Sequence, residues 1–157
     1  MNVMKKIITL IVLHIFVTIS LAYSETPIVL GNVPLDRNSN IIMLPQNINH
    51  VPEILISRDQ YLLSYNKKTH LMNWAAWKID ASDFGNVRRT NKFAVDQDLE
   101  NYLSTTSEHA VTLKDYYKSC FDRGHQCPSA DRTDSVENNQ MTFLMSNFEI
   151  SFNRYCK

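Results

Sequence analysis

His125 is one of five histidines in the chain, and it is the one whose neighbours suggest chemistry. It closes the run Asp122-Arg123-Gly124-His125 and precedes Gln126-Cys127-Pro128-Ser129-Ala130. An imidazole of ordinary pKa can take a proton from water near neutral pH. Arg123, two residues earlier, falls on the same side as His125 if the segment is extended. Its guanidinium offers a fixed fork of donors to a phosphate. Gly124 lets another backbone or a substrate approach closely, and Asp122 can fix the arrangement by accepting hydrogen bonds. A base, a phosphate clamp and close approach are what phosphodiester cleavage needs. A given tetrapeptide occurs by chance in on the order of one chain in a thousand of this size, so the surroundings must decide. His50, His70 and His109 have no such neighbours and read as surface or structural residues, and His14 lies in the N-terminal apolar run.

The elements that would hold this group can be read from pattern. Ile54 to Tyr65 and His70 to Ile79 are apolar, β-branched and aromatic runs joined by Asn66-Lys67-Lys68-Thr69, which predicts a hairpin. Trp74 and Trp77 read as core residues. Asp80 to Asp98 is polar, carries Arg88, Arg89 and Lys92, and reads as a loop. Leu99 to Tyr117 predicts short helical turns, with Thr112 and Asp115 in capping-box spacing. Gln140 to Asn147 reads as a strand with Met141, Phe143 and Met145 on one face. The fold class that follows is α+β, an antiparallel sheet with short helices.

The bulk properties set limits. The chain has 157 residues, with 16 basic and 16 acidic side chains. Residues 1–24 read as a signal peptide: Lys5 and Lys6, an apolar run from Ile7 to Leu21, then Ala22-Tyr23-Ser24. Its removal takes two lysines and leaves 14 basic against 16 acidic groups. That balance excludes the strongly basic composition of a tight nucleic-acid binder, but not an enzyme that releases its product. The expected location is periplasmic or secreted, with no lasting membrane association. Residues 25–53 hold four of the five prolines and read as an irregular lead-in, so that residues 54–157 form the domain. Cys120, Cys127 and Cys156 make an odd count in an oxidising compartment, which leaves the pairing open.

The segment DRGHQCPSA resembles the active-site signature of the DNA/RNA non-specific endonucleases, a family with a ββα-metal fold. Tyr61 to Ile79 resembles the family's early hairpin, Arg88 to Leu99 its arginine-bearing loop, and Met141 to Asn147 the strand after the signature. The resemblance implies metal-assisted hydrolysis of DNA and RNA, with magnesium as the cofactor and the nucleic-acid backbone as the partner. It makes His125 the general base and puts Arg123 near the phosphate. Arg89, rather than Arg88, becomes the loop arginine on the scissile phosphate. Asn147 is expected beside the histidine at the substrate, and Asp122 and Gly124 are structural at the site.

The family continues past its Ser-Asn pair with a turn and a helix, whose asparagine ligates the metal about nine residues on. Phe148 to Lys157 does not resemble that segment, and position 156 is Cys156. The expectation is therefore a C-terminally truncated member, with the metal ligand unmatched. The alternative is an inactive member that retains only nucleic-acid binding. A third reading, a small zinc protein using Cys120, His125, Cys127 and Cys156, has a spacing unlike familiar zinc patterns.

Overall fold

Residues 28–31 and 51–152 are described by the computed structural model. Four strands form one sheet in sequence order: Ile28–Gly31 (β1), Ile54–Ser57 (β2), Leu62–Asn66 (β3) and Leu71–Ala76 (β4). β1 runs parallel to β2, and the other neighbours are antiparallel. The expected hairpin is β3 with β4, closed by a hydrogen bond from the His70 amide to the Asn66 carbonyl at 2.9 Å.

The run from Ile54 to Tyr65, expected as a single strand, is two. Arg58, Asp59 and Gln60 interrupt it, and the Arg58 amide donates to the Tyr61 carbonyl at 2.9 Å to reverse the chain. Three consecutive polar residues inside an apolar run were the turn signal. The stretch expected to be an irregular lead-in also contributes a strand. Its Ile28-Val29-Leu30 run forms β1 and pairs in register with Ile54, Leu55 and Ile56, so β2 becomes a central strand. The signal-like residues 1–24 lie outside the described residues, as do His50, Asn153 and Cys156.

Every residue of β2 and β3 is buried. The core gathers Ile54, Ile56, Leu63, Tyr65 and Met72 from the sheet with Leu99 and Leu103 from the helix Gln97–Ser104 (α1). Those leucines are four apart and share one helix face. Asp96 caps α1 and is itself buried. Its carboxylate accepts from Arg58 Nη2 at 2.7 Å, from Ser146 Oγ at 2.6 Å and from the Leu99 amide. One carboxylate thus ties α1 to the β2–β3 turn and to the segment before the last strand. The short helix Leu113–Tyr116 (α2) carries the expected Thr112–Asp115 capping box. Trp77 packs against the core and donates its Nε1 to Asp131 at 2.9 Å, while Trp74 is half-buried.

The strand expected over residues 140–147 is not there. The helix Val136–Met141 (α3), capped by Ser135, ends in this segment, and Met145–Asn147 is a 3-10 turn. The alternation had suggested a polar face, but Thr142 and Ser146 are as buried as Phe143 and Met145. The segment is surrounded, and period two does not describe it. A strand follows instead at Phe148–Phe152 (β6), antiparallel to Phe121–His125 (β5).

Candidate active site

β5 is the Asp-Arg-Gly-His segment in extended form. Its register against β6 sets Arg123 opposite Ile150 and His125 opposite Phe148. Since alternate residues of a strand share a face, Arg123 and His125 point the same way, as the sequence predicts for an extended segment. Asp122 and Gly124 occupy the other face. A methyl group at Gly124 would meet its nearest neighbours at 3.7 and 3.8 Å, ordinary contact distances, so close approach does not require glycine at this position.

The polar loop between β4 and α1 is stitched to the DRGH side of the molecule rather than merely solvated. The Val87 amide donates to the Thr133 carbonyl at 3.1 Å, and the Thr90 amide donates to Asn139 Oδ1 at 3.0 Å. The Ala94 amide donates to the Phe143 carbonyl at 3.1 Å, and the Met145 amide returns to the Ala94 carbonyl at 2.8 Å. These bonds carry Arg89 and Phe93 to the His125 face.

Three phenylalanines form the floor there. Phe93 lies 5.1 Å from Phe143 and 5.3 Å from Phe148, centroid to centroid. His125 packs edge-on against both, at 4.9 Å from Phe143 and 4.2 Å from Phe148. The Arg89 guanidinium sits 4.8 Å over the Phe143 ring, and that of Arg123 sits 4.2 Å over Phe93. Each cation thus rests on the electron-rich face of a ring. Sequence reasoning selected Arg89, Arg123 and His125 but not the floor that joins them. Phe93, four residues after Arg89, was the available signal.

The site is electropositive. No salt bridge among the described residues involves Arg89 or Arg123. Arg89 is held by neutral acceptors: Nε donates to Asn91 Oδ1 at 2.8 Å and Nη1 to Ser129 Oγ at 3.1 Å. Arg88 and Arg89 are both exposed, and the cationic neighbour acting on His125 is Arg89. Burial in the aromatic floor, and then the Arg89 charge, lower the His125 pKa from its ordinary 6.5 to about 4. His125 Nε2 is buried, with no hydrogen-bond partner among the described residues.

Asn147, expected at the substrate, is wholly buried. Its Nδ2 donates to the Cys127 and Thr142 carbonyls, both at 2.9 Å, and its Oδ1 accepts from the Cys127 amide at 2.9 Å. Its carbonyl accepts from Gln126. With these bonds made, the side chain fixes the backbone just past His125 instead of reaching a phosphate. Asn139, which sequence reasoning passed over, does the same for the Arg89 loop. It accepts from Thr90 and donates to the Ser129 and Arg132 carbonyls at 2.8 Å each. Arg132 is buried too, donating to the Gln60 and Lys78 carbonyls.

The cysteines do not fit the zinc reading. Cys120 is in a disulfide, and Cys127 is free and buried with its thiol pushed up to about 12 by burial. Magnesium takes oxygen ligands in octahedral geometry. Among the described residues no three His, Cys, Asp or Glu side chains converge, and the amides of Asn139 and Asn147 are committed to backbone. The described residues do not by themselves compose a metal site.

A nuclease from Nostoc sp. (strain PCC 7120) is 42% identical over 93 residues, covering 59% of this chain and 32% of its own length. A nuclease from Syncephalastrum racemosum is 34% identical over 108 residues, covering 64% and 32%. The chain thus spans about a third of the length of these relatives. A crystal structure of the EndoG/EndoGI complex matches with a TM-score of 0.54 at 20% identity, over 71% of this chain and 48% of that one. It shows the fold, the α+β arrangement of a ββα-metal nuclease. The sequence profile of the DNA/RNA non-specific endonucleases matches residues 38–149, which include the loop of Arg89, the whole of β5 and Asn147, and the chain belongs to that family.

Proposed function

We propose that this site hydrolyses phosphodiester bonds of DNA and RNA without sequence preference. The observation that carries the reading is the convergence of His125, Arg89 and Arg123 on one aromatic floor, with neither guanidinium in a salt bridge among the described residues. An uncancelled pair of arginines suits a phosphate, which accepts bidentate donors. His125, with its pKa lowered to about 4, is neutral at physiological pH and can take a proton from the attacking water. Nε2 is enclosed, so the proton goes to Nδ1. Contacts made to phosphate rather than base edges account for indifference to sequence and to sugar type.

The magnesium requirement implied by the family resemblance is part of the same proposal, as is action after export in the periplasm or outside the cell. The purified chain should nick supercoiled plasmid and degrade RNA in magnesium buffer, and His125→Ala should do both at least about a hundredfold more slowly. Equal cleavage by both proteins would overturn the reading. Binding that weakens steeply with salt while no strand is cut would favour the inactive, binding-only alternative.

A further inference from the structure

Arg89 is the one site cation delivered by a loop rather than a strand, so something must hold it. A long side chain on a loop loses rotamer freedom only if its neighbours fix it. Two do. Asn91 Oδ1 accepts from Nε at 2.8 Å and Ser129 Oγ accepts from Nη1 at 3.1 Å. They come from different parts of the chain, since Asn91 follows Arg89 and Ser129 lies in the 3-10 turn just past β5.

Asn91 sits at φ 53°, a left-handed conformation that asparagine tolerates better than most residues. That conformation brings its amide oxygen back onto Arg89. Asn139 locks the two holders together, accepting from the Thr90 amide and donating to the Ser129 carbonyl. The side-chain holders are neutral, though a carboxylate would hold a guanidinium more strongly. A carboxylate would also cancel the charge.

We infer that Asn91 and Ser129 are positioning residues that aim the Arg89 guanidinium across Phe143 toward His125 while leaving its positive charge uncancelled for a phosphate. The inference rests on the nuclease reading for its purpose but not for its geometry.

The test uses the full chain and two readouts. The first is the His125 pKa from NMR titration, which needs no turnover. The second is kcat/KM for plasmid cleavage. Arg89→Ala sets the upper reference for the pKa. Asn91→Gly keeps the left-handed backbone and removes the acceptor, and Ser129→Ala removes the other. Each should raise the His125 pKa part of the way to the Arg89→Ala value and lower kcat/KM about fivefold, as for the loss of one hydrogen bond. Ser129→Thr keeps a hydroxyl and should restore both. Asn91→Asp keeps an acceptor but adds a negative charge. It should raise the His125 pKa further than Asn91→Gly does and lower cleavage at least as much.

The inference is overturned if Asn91→Gly and Ser129→Ala leave the His125 pKa unchanged while Arg89→Ala shifts it, or if Asn91→Asp behaves as wild type. A wild-type chain that cuts nothing, with the pKa pattern intact, would remove the nuclease reading and leave the cradle standing.

Discussion

His125 packs against two phenylalanine rings, and its Nε2 has no partner among the described residues. A charged imidazolium is disfavoured in such surroundings, so the ring is uncharged at neutral pH. His125→Ala should lower cleavage by about a hundredfold to ten-thousandfold, the usual contribution of a positioned base, with a near-normal circular dichroism spectrum. Asn147→Ala should act differently. It removes donors to two buried carbonyls and leaves the Cys127 amide unpaired, which costs about 3 kcal/mol. Urea denaturation would show the loss as a lower midpoint.

The shared face of Arg123 and His125 was legible in the sequence, because they stand two apart in a segment that proved extended. The role of Asn147 was not. Nothing in its neighbours distinguishes an asparagine facing a substrate from one bonded to its own backbone. At Gly124 the lack of a side chain suggested close approach of a backbone or a substrate, and among the protein's own atoms the space there would take a methyl group.

At the scale of elements, the site depends on three segments meeting: β5, the Arg89 loop and the stretch before β6. Phe143 is central, touching Phe93, Phe148, His125 and Arg89. It is fully buried, so Phe143→Ala should cost about 3–5 kcal/mol. It should also scatter the His125 and Arg89 side chains, seen as NMR line broadening at both. Asp96 holds the same region from behind. Asp96→Ala leaves the largely buried Arg58 with only its exposed partner Asp98 and should cost about 3 kcal/mol by thermal melting.

These dependencies explain what pattern could and could not foresee. The β3–β4 hairpin and the Thr112 cap follow from local signals and were read correctly. The segment 140–147 was misread because tertiary contacts bury its polar residues as fully as its apolar ones. Asn139 and Asn147 satisfy the freed backbone there, which makes an irregular path possible inside a core. No local period records such a path. The loop 80–98 was legible as a loop, but not as one bonded at Val87, Thr90 and Ala94 to a partner far along the chain.

At the scale of the whole molecule, the His125 environment couples folding to pH. Its pKa is about 4 in the folded chain against an ordinary 6.5. An unfolded chain therefore binds a proton on this residue at a higher pH than the folded chain does. The stabilising share is complete above about 6.5 and is lost as pH falls toward about 4. Urea midpoints at pH 7 and pH 5 should differ more for wild type than for His125→Gln, which carries no titrating group. Equal differences would mean that His125 is not desolvated in solution.

The central claim is that a neutral, half-buried His125, biased by Arg89, performs the proton transfer of phosphodiester hydrolysis. The dependence of kcat/KM on pH for plasmid cleavage tests it most directly, because that profile reports the free enzyme's essential base. The wild-type profile should fall on its acid side near pH 4, and Arg89→Ala should move that fall upward. An acid limb at the ordinary value of 6.5 that ignores Arg89→Ala, or cleavage that survives His125→Ala, would contradict it.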